Sequence, residues 1–464
     1  MTSQPVTFRG RIQGAFDAGV PPAINKGARG HFQGRRNAEQ AFPEMDGMRD
    51  RAREIRAHTL SRLDHHLAEF ADAVERRGGN VFFAADAAEA NEYIVGLARS
   101  ENVELVVKSK SMVTEEIHLN DAIEAAGIEV VETDLGEFIV QLAGETPSHI
   151  IAPVLHKNRY DVGELFSAQL GVEYTDTPGE LNDIARTYLR ERFLGAEMGV
   201  SGANFGVVED GAICLVTNEG NGRLVTSAPR IHVAVMGMER LVPTRTDLAV
   251  MLEVLARSAT GQKLSVYSNI VAGPRRDGEP DGPDQFHVVI VDNGRSATLG
   301  SAVAEILYCI RCGACLNACP VYRHVGGHAY GTVYPGPIGK VLTPSLFGLE
   351  QWHELPAASS LCGACEEVCP VRIEIPKLLV ELRKQSTGHM PLGIRTGIAW
   401  YSRIATRPRL FRVVTRLGGW MGRLLGRGGW MRRIPWLLSG WTDKRELPAP
   451  APRTFHDWWS NRET

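Results

Sequence analysis

Hydrophobic and polar positions change period repeatedly through the first third of this chain. Short apolar runs typical of buried strands alternate with segments whose apolar residues follow helical spacing. The strand-like runs are Asn80–Ala84, Val103–Val107 and Ile128–Glu132, and the helical segments between them are Ala87–Arg99 and Thr114–Ala126. Strands that alternate with helices of about 10–15 residues predict βαβ units and a parallel sheet.

Farther along the chain, strand-like runs follow one another with turn residues between them. Turn chemistry occurs at Glu209-Asp210-Gly211 and again from Asn218 to Gly222. The predicted strands are Asn204–Val208, Ala212–Val216, Ile231–Met236, Leu264–Ile270 and His287–Asp292. Helices are predicted over Met45–Arg77, Val162–Phe193 and Ala297–Tyr308. The fold class is therefore α/β, with a parallel or mixed sheet.

The length of 464 residues allows two or three domains at about 150 residues each. Residues 1–43 contain Gly, Pro and Arg without a clear period, and we interpret them as an arm on the surface or on a partner. The expected divisions are an N-terminal arm and helix, an α/β domain, a cysteine-rich domain and an Arg/Trp-rich C-terminal region, at 1–64, 65–295, 296–389 and 390–464.

Charge is distributed unevenly. From Arg395 to Arg445 there are twelve Lys or Arg and one acid, Asp443, so this segment carries +11. The remainder must carry −14, because the whole chain carries −3. The N-terminus lacks the apolar core of a secretory signal, and no run approaches the ~18 apolar residues that span a bilayer. We therefore expect a cytoplasmic protein, in which cysteines stay reduced.

Seven of the eight cysteines fall in two tight groups. The first group has the spacing C-x2-C-x2-C-x3-C-P, which binds [4Fe–4S] clusters in bacterial ferredoxins. Its members are Cys309, Cys312, Cys315 and Cys319, followed by Pro320. The second group repeats the latter part of this run with Cys362, Cys365 and Cys369, followed by Pro370. The spacing predicts two [4Fe–4S] clusters in a ferredoxin-like helical domain.

Each iron of a cubane cluster takes one soft thiolate, and the cysteine before proline ligates the other cluster in two-cluster ferredoxins. The predicted ligands of the first cluster are Cys309, Cys312, Cys315 and Cys369, and those of the second are Cys319, Cys362 and Cys365. The second cluster then lacks one thiolate. The candidates for its fourth ligand are Ser359, His324, His328, His353, a small thiol or a side chain of a partner.

A zinc ribbon uses two C-x2-C pairs and four ligands, which seven cysteines with two Cys-Pro endings fit poorly. Cys214 lies alone in an apolar strand and is interpreted as a buried, inert thiol. The Gly- and Pro-rich segment from His324 to Lys340 is interpreted as a cover over the clusters, with a docking surface or a cluster-tuning histidine as the alternative.

Three parts of the chain form a recognisable combination: VKSKSMVTEEIHLNDAIEAAGIEVVETDLGEFIVQL (107–142), GANFGVVEDGAICLVTNEGNGRLVTSAPRIHVAV (202–235), and both cysteine runs with the RHVGGHAYGTVYPGPIGKVLTP segment. In this combination the chain resembles the lactate-utilisation protein B family of bacterial iron–sulfur subunits. The resemblance implies an α/β domain similar to sugar-phosphate isomerases and CoA transferases. It also implies that electrons pass from L-lactate oxidation to a downstream acceptor, with two companion proteins as partners.

The α/β domain offers candidate ligand-binding residues. Lys108, Ser109, Lys110 and Ser111 follow a strand, and parallel sheets bind ligands at the carboxyl ends of strands. Glu209, Glu219 and Arg223 flank turns. These residues predict a pocket for lactate or pyruvate, or else they are solvated charges and hairpin turns. No nucleophile–base pair or phosphate loop is evident, so binding or scaffolding is favoured over independent catalysis.

The basic C-terminal region holds seven of the eight tryptophans, from Trp400 onward, interleaved with arginines. Such a segment suits either partner docking or an anionic membrane surface, which would make the protein peripheral at the inner face of the membrane. No nucleic-acid-binding module is recognisable.

We expect an electron-transfer subunit of an L-lactate-oxidising complex, non-catalytic or co-catalytic. The alternative is a self-contained enzyme that binds a hydroxy acid or CoA-type substrate and uses the open cluster as a Lewis acid. A redox-sensing regulator is a weaker third hypothesis.

Overall fold

A computed structural model describes residues 7–17, 19–390, 392–432, 434, 442, 445–451 and 453–462. The chain divides into two compact units, Met1–Ser386 and Thr387–Thr464. The first unit contains the α/β sheets and all eight cysteines. The second contains the Arg/Trp-rich region.

The strands of the described residues belong to three sheets. They are β1 Asn80–Ala84, β2 Leu105–Lys108, β3 Glu129–Glu132, β4 Met198–Gly202, β5 Phe205–Val207, β6 Ala212–Thr217, β7 Ile231–Gly237, β8 Leu241–Val242, β9 Tyr267–Val271, β10 Gln285–Val291, β11 Trp430–Met431 and β12 Leu447–Pro448. The order β1-β10-β7-β4-β2-β3 forms one sheet, β8-β5-β6-β9 a second, and β11-β12 a third.

The six-stranded sheet is parallel throughout, which confirms the predicted parallel sheet. Its central strand β7 is buried along its whole length. Ile231, Val233 and Val235 pack on one side of the sheet, and Ala234 and Met236 pack on the other. This two-residue period places an apolar core on both faces, as parallel sheets require.

The four-stranded sheet is mixed. Strands β5 and β6 pair in antiparallel register across the predicted turn Glu209-Asp210-Gly211, and β6 pairs with β9 in the same sense. Strand β8 joins β5 in parallel. The observed fold class is therefore α/β, with one parallel and one mixed sheet.

Helices surround these sheets and build the cysteine region. They are α1 Phe8–Asp17, α2 Pro21–Gln40, α3 Met45–Ser61, α4 Leu63–Arg76, α5 Ala87–Ser100, α6 Met112–Glu116, α7 Leu119–Ala125, α8 Leu135–Leu142, α9 Arg159–Leu170, α10 Pro178–Gly195, α11 Asn221–Ser227, α12 Arg245–Ala259, α13 Arg295–Leu299, α14 Ala314–Ala318, α15 Pro320–Val325, α16 Gly336–Phe347, α17 Leu349–Trp352, α18 Ala364–Glu367, α19 Ile375–Gln385, α20 Leu392–Ala405, α21 Pro408–Leu425 and α22 Phe455–Ser460.

The N-terminal segment differs from the predicted arm. It forms α1 and α2, and Ile24 and Ala28 of α2 are fully buried. Helix α2 packs against α14 and α15 of the cysteine region and against α12. Gly34 permits one of these contacts, because a Cβ there would lie 2.6 Å from the Thr260 carbonyl oxygen. The glycines that obscured the helical period in the sequence thus allow close packing.

Several predicted helices are interrupted. Met45–Arg77 divides at Arg62, where the backbone leaves helical geometry, and Val162–Phe193 divides into α9 and α10. Ala297–Tyr308 forms only the short α13 and a 3₁₀ turn, Ala304–Tyr308. The segment between the cysteine groups contains α16, a twelve-residue helix, despite the Gly and Pro residues at its start. Strand β4 and helix α12 were not predicted.

A buried chain of ion pairs joins the α/β sheet to the first cysteine loop. Arg295 donates to both carboxylate oxygens of Glu116, at 2.8 and 2.7 Å, and to Glu239 Oε2 at 2.7 Å. Arg311 Nη2 lies 3.3 Å from Glu239 Oε1. The Tyr334 hydroxyl donates to Glu116, and the Arg311 guanidinium lies over the Tyr334 ring. The side chains of Arg295, Glu116 and Glu239 are at most 1% exposed.

The C-terminal unit consists of α20, α21, the β11–β12 pair and α22. Arg416 of α21 forms an ion pair with Asp457 of α22, with 2.5 Å between Nη2 and Oδ1. Within the described residues, no helix combines the length and apolar character needed to cross a membrane.

Replacing Arg295 with Met should strongly destabilise the first unit, because it leaves Glu116 and Glu239 buried without their cation. Loss of one partner of a buried pair costs about 3–5 kcal/mol of unfolding free energy. Denaturant unfolding of the anaerobic protein measures this loss. Arg275→Met is the matched control, because Arg275 pairs with Asp284 in an exposed ion pair, and such a pair is worth only about 0–1 kcal/mol. Equal unfolding free energies of the two variants would contradict a structural role for the buried ion pairs.

Candidate iron–sulfur site and the adjoining pocket

Four cysteines from the two groups line one small cavity. They are Cys309, Cys312 and Cys315 from the first group and Cys369 from the second. The rest of the cavity wall is mainly apolar and includes Ile150, Ile338, Val371, Ile373 and Ile375. Cys319, Cys362 and Cys365 are not part of this wall.

The two cysteine loops share an unusual backbone conformation. Arg311 and Gly313, which flank Cys312, both have left-handed φ values, of 60° and 75°. Leu361 and Gly363, which flank Cys362, repeat this pattern at 54° and 83°. In both loops the second left-handed residue is glycine and begins a short helix, α14 or α18. Two left-handed residues turn the chain tightly around the sulfur between them.

This repeat extends to the position before each loop. The backbone N–H of Arg311 donates to Cys309 Sγ at 3.4 Å, and the backbone N–H of Leu361 donates to Ser359 Oγ at 3.2 Å. Ser359 therefore occupies the position in the second loop that Cys309 occupies in the first.

Backbone N–H groups also point at other sulfurs. Tyr322 N donates to Cys319 Sγ at 3.4 Å, and Ile373 N donates to Cys369 Sγ at 3.3 Å. In both cases a Cys-Pro dipeptide starts the turn or helix that supplies the donor. Hydrogen bonds of this kind favour the thiolate form and tune the potential of a bound cluster.

The three remaining cysteines differ in exposure. Cys319 and Cys365 are buried, whereas Cys362 is exposed. The pKa of the Cys362 thiol is lowered by a hydrogen bond from the backbone N–H of Ala364. Lys340 of α16 is fully buried beside this group, with its Nζ 3.8 Å from Cys319 Sγ.

The cysteines have the donor chemistry that an iron–sulfur cluster needs. Burial raises the pKa of Cys365 to about 12 and that of Cys369 to about 11, and it raises the pKa of Cys312 and Cys315 further. A bound metal supplies the positive charge that keeps such thiols ionised. No three His, Cys, Asp or Glu side chains in the described part of the chain converge on a single ion position. The four cysteines line one cavity instead, and soft thiolates gathered in this way are the ligands that an iron–sulfur cluster takes.

The histidine candidates for a fourth ligand each contact a backbone carbonyl. His324 Nδ1 lies 2.6 Å from Pro320 O, His328 Nε2 lies 2.7 Å from Thr146 O, and His353 Nδ1 lies 3.0 Å from Glu350 O. The segment that carries His324 and His328 continues into α16, whose Ile338 closes the cysteine cavity.

Cys214 lies in β6 and is fully buried. Burial raises the pKa of its thiol to about 12. Its surroundings are those of a core thiol.

A second cavity, of about 290 Å³, opens at the carboxyl ends of four adjacent strands, β3, β2, β4 and β7. Of the α/β-domain residues singled out in the sequence, Ser109, Lys110, Ser111 and Glu219 line it. The position agrees with the rule that parallel sheets bind ligands at this edge.

The other three candidates have structural contacts. Lys108 is fully buried and pairs with Glu132 at 2.6 Å and Glu115 at 2.9 Å, so it is not a solvated charge. Glu209 accepts a hydrogen bond from the backbone N–H of Arg245. Arg223 lies over the ring of Tyr267.

Sequence reasoning missed the residues that connect the two cavities. Arg311 and Ile150 line both the cysteine cavity and the pocket, and Glu239 and Arg240 line the pocket beside them. Arg240 Nη1 donates to the Cys309 carbonyl at 2.9 Å. The sequence could have identified Arg311 as a residue of the site, because it lies between two predicted cluster ligands. Nothing in the sequence singled out Ile150.

The acidic groups around the pocket differ in protonation. Burial alone would raise the pKa of Glu239, but the guanidinium groups of Arg295 and Arg311 hold it at about 2. Burial raises the pKa of Glu137 to about 8, even though Lys110 Nζ lies 3.4 Å from its Oε1. Burial also raises the pKa of Glu219.

The sheet and the paired cysteine loops define the class of protein: an α/β domain joined to a two-cluster ferredoxin domain. Family models match in the same order, with a LUD domain at residues 67–291, a 4Fe-4S dicluster domain at 305–373 and the C-terminal domain of lactate utilisation protein B at 382–464. The chain belongs to the lactate utilization protein B family. The dicluster match confirms the predicted cofactor, two [4Fe–4S] clusters.

Individual relatives cover nearly the whole chain. The lactate utilization protein B of Oceanobacillus iheyensis is 46% identical over 98% of this chain and 96% of its own length. That of Shouchella clausii is 48% identical over 92% and 90%. A crystal structure of a DUF162 family protein from Deinococcus radiodurans covers 49% of this chain and 98% of its own, at 14% identity and a TM-score of 0.27; this similarity is too low to support an argument.

Proposed function

We propose that this chain is the electron-carrying iron–sulfur subunit of a system that oxidises L-lactate to pyruvate. Its partners are the companion subunits of that system and a downstream electron acceptor. Family membership and the dicluster domain support a role for an iron–sulfur protein in lactate utilization.

The observation that carries this proposal is the exposure of one predicted ligand of the second cluster at the protein surface. In the first set, Cys312, Cys315 and Cys369 are buried and Cys309 is half-buried, whereas the second set combines buried Cys319 and Cys365 with exposed Cys362. Helices α14 and α18, which follow the two loops, pack against each other. The clusters supply one-electron redox centres. The chain's residues would hold the first cluster behind apolar walls, and Cys362 would bring one edge of the second within reach of a docked partner protein.

The ligand sets support the same arrangement. Cys309, Cys312, Cys315 and Cys369 are the proposed ligands of the first cluster because they share one cavity. Cys319, Cys362 and Cys365 are the proposed ligands of the second.

Ser359 is the proposed occupant of the fourth position of the second cluster. Its place in the repeated loop matches that of Cys309, whereas the three histidine candidates contact backbone carbonyls.

Anaerobically purified full-length chain should accept and release one electron at a time in a redox titration followed by EPR. It should not reduce an artificial acceptor when L-lactate alone is added, because the chain offers no recognised catalytic group for that oxidation. Addition of the companion proteins should make cluster reduction depend on lactate. Robust lactate turnover by the isolated chain would contradict the carrier role and favour the self-contained enzyme.

Single cysteine variants test the crossed ligand sets. Cys315→Ala and Cys369→Ala should lose the same EPR signal, whereas Cys319→Ala and Cys365→Ala should lose the other one. Each variant should retain about four irons per chain rather than about eight, since each cubane holds four. Cys214→Ala is the control and should keep about eight. If Cys369→Ala lost the signal that Cys365→Ala loses, each run would bind its own cluster and the crossed assignment would be wrong.

The C-terminal unit is proposed to contact an anionic membrane surface. Exposed apolar residues of α21 recur at helical spacing, at Val413, Leu417, Trp420, Met421 and Leu424. Arginines of the same helix supply positive charge, and a helix of this composition binds in the membrane interface. The location proposed with this contact is the cytoplasm, peripheral at the inner face of the membrane.

Vesicle flotation tests the tail. Full-length protein should float with phosphatidylglycerol vesicles and much less with phosphatidylcholine vesicles, and added salt should weaken the binding because the attraction is partly electrostatic. Leu417→Asp should abolish flotation by placing a charge on the apolar face. Val380→Asp, at an exposed apolar position of α19 in the first unit, is the matched control. Absence of flotation with both lipids would leave protein docking as the role of α21.

The second candidate function, a Lewis-acid enzyme built on the open cluster, has less support. The pocket at the sheet edge is lined by Arg311 of the first cysteine run and by none of Cys319, Cys362 and Cys365. A substrate in this pocket would therefore face the four-cysteine site. The proposed likeness of the α/β domain to sugar-phosphate isomerases and CoA transferases concerns its scaffold and assigns it no catalytic group.

A further inference from the structure

The pocket at the sheet edge is built from parts of the chain that are distant in sequence. Its floor comes from the ends of β3, β2, β4 and β7, and one wall comes from β6 and α12. Ile150, Ile151 and Arg311 close it on the side of the cysteine cavity. A ligand in this pocket would lie beside the first cluster site, separated from it by two side chains that line both cavities.

Buried polar atoms in the pocket lack partners. Within the described residues, three polar atoms of the pocket lining form no hydrogen bond: Ser109 Oγ, Arg311 Nη1 and Asn221 Oδ1. Lys110 Nζ forms no hydrogen bond either, although it lies 3.4 Å from Glu137 Oε1. Ser109 is 3% exposed, and the Arg311 side chain is 9% exposed. An unpaired buried polar group costs about 1–3 kcal/mol. Three such groups belong to side chains that line this one cavity, where a polar ligand would give them partners.

The charges around the pocket favour an anion. Lys110 faces Glu137, and burial raises the pKa of this carboxyl to about 8, which weakens its hold on the lysine. Arg311 shares the single carboxylate of Glu239 with Arg295. Two other acids line the pocket. Asp134 accepts the backbone N–H groups of Gly136 and Glu137 as a helix cap, and burial raises the pKa of Glu219.

The remaining lining matches a short organic acid. Apolar side chains such as Val113, Leu215 and Ala259 suit a methyl group or short chain, and Ser109 and Asn221 suit an oxygen beside the carboxylate. Small-ligand sites typically combine an apolar lining with a few convergent polar groups.

We propose that this pocket binds a small 2-hydroxy or 2-oxo carboxylate, with Lys110 and Arg311 holding the carboxylate and Ser109 the oxygen at C2. The choice of acid rests on the proposed function, whereas the pocket's preference for a carboxylate does not. Because Arg311 lines both cavities, a bound carboxylate adds negative charge beside the first cluster. Ligand binding therefore lowers the reduction potential of that cluster, since reduction adds a further negative charge.

Calorimetric titration of the cluster-loaded, full-length protein under anaerobic conditions tests binding, with L-lactate and pyruvate as ligands and acetate as the analogue without a C2 oxygen. L-Lactate or pyruvate should bind more tightly than acetate. Lys110→Met should weaken binding by about tenfold or more, since it removes a charge-assisted contact. Ser109→Ala should weaken lactate binding and leave acetate binding unchanged. Lys377→Met, an exposed lysine of α19, is the matched control and should bind like the parent protein.

A redox titration with and without the acid supplies the second measurement. The first cluster's potential should fall when the acid is present, and Lys110→Met should remove the shift while keeping the iron content. Absence of binding at millimolar acid, or equal binding by parent, Lys110→Met and Ser109→Ala proteins, would overturn the proposal. Failure of electron transfer to companion proteins with normal acid binding would instead overturn the carrier function and leave the pocket assignment standing.

Discussion

Four charged side chains, Glu116, Arg295, Glu239 and Arg311, form a buried chain of ion pairs between the parallel sheet and the first cysteine loop. Burying four charges is costly, and only mutual pairing with further hydrogen bonds compensates for it. These buried ion pairs therefore fix the cysteine loop in one position against the sheet. Arg311 is the last member of this series of ion pairs, and its backbone is left-handed between the predicted ligands Cys309 and Cys312. The fold of the cysteine loop and the fold of the α/β domain therefore depend on each other.

This constraint explains why the α/β domain and the cysteine region form one compact unit. Helix α2 from the N-terminus packs on the cysteine helices, and α3 contributes Arg56, which donates to backbone carbonyls of Leu241 and Leu307. The iron–sulfur site is thus enclosed by segments from the whole length of the unit. The pocket at the sheet edge and the first cysteine cavity share one guanidinium group, that of Arg311.

Much of the fold and the site could be predicted from the sequence. The parallel sheet was predicted because buried strands alternate with amphipathic helices, and the turn at Glu209-Asp210-Gly211 was predicted from its residues. The prediction of an irregular N-terminal arm was wrong, because the glycines of α2 weaken the helical pattern in the sequence. In the structure, Gly34 allows α2 to pack closely against its neighbour. Strand β4 was missed because MGVSG contains small residues, whose place in the sheet depends on its neighbours.

By itself the sequence determined the cofactor, because cysteine spacing and Cys-Pro endings act within a few residues of backbone. The repeated loops around Cys312 and Cys362 show this local control. Only the tertiary structure decided that Arg311 and Ile150 line both cavities, and that Lys108 is a buried structural cation whereas Lys110 faces a pocket. These relations depend on contacts between distant segments, such as those of Ser109 and Arg311 or of Ile150 and Ile375. Hydrophobic periodicity does not encode such contacts.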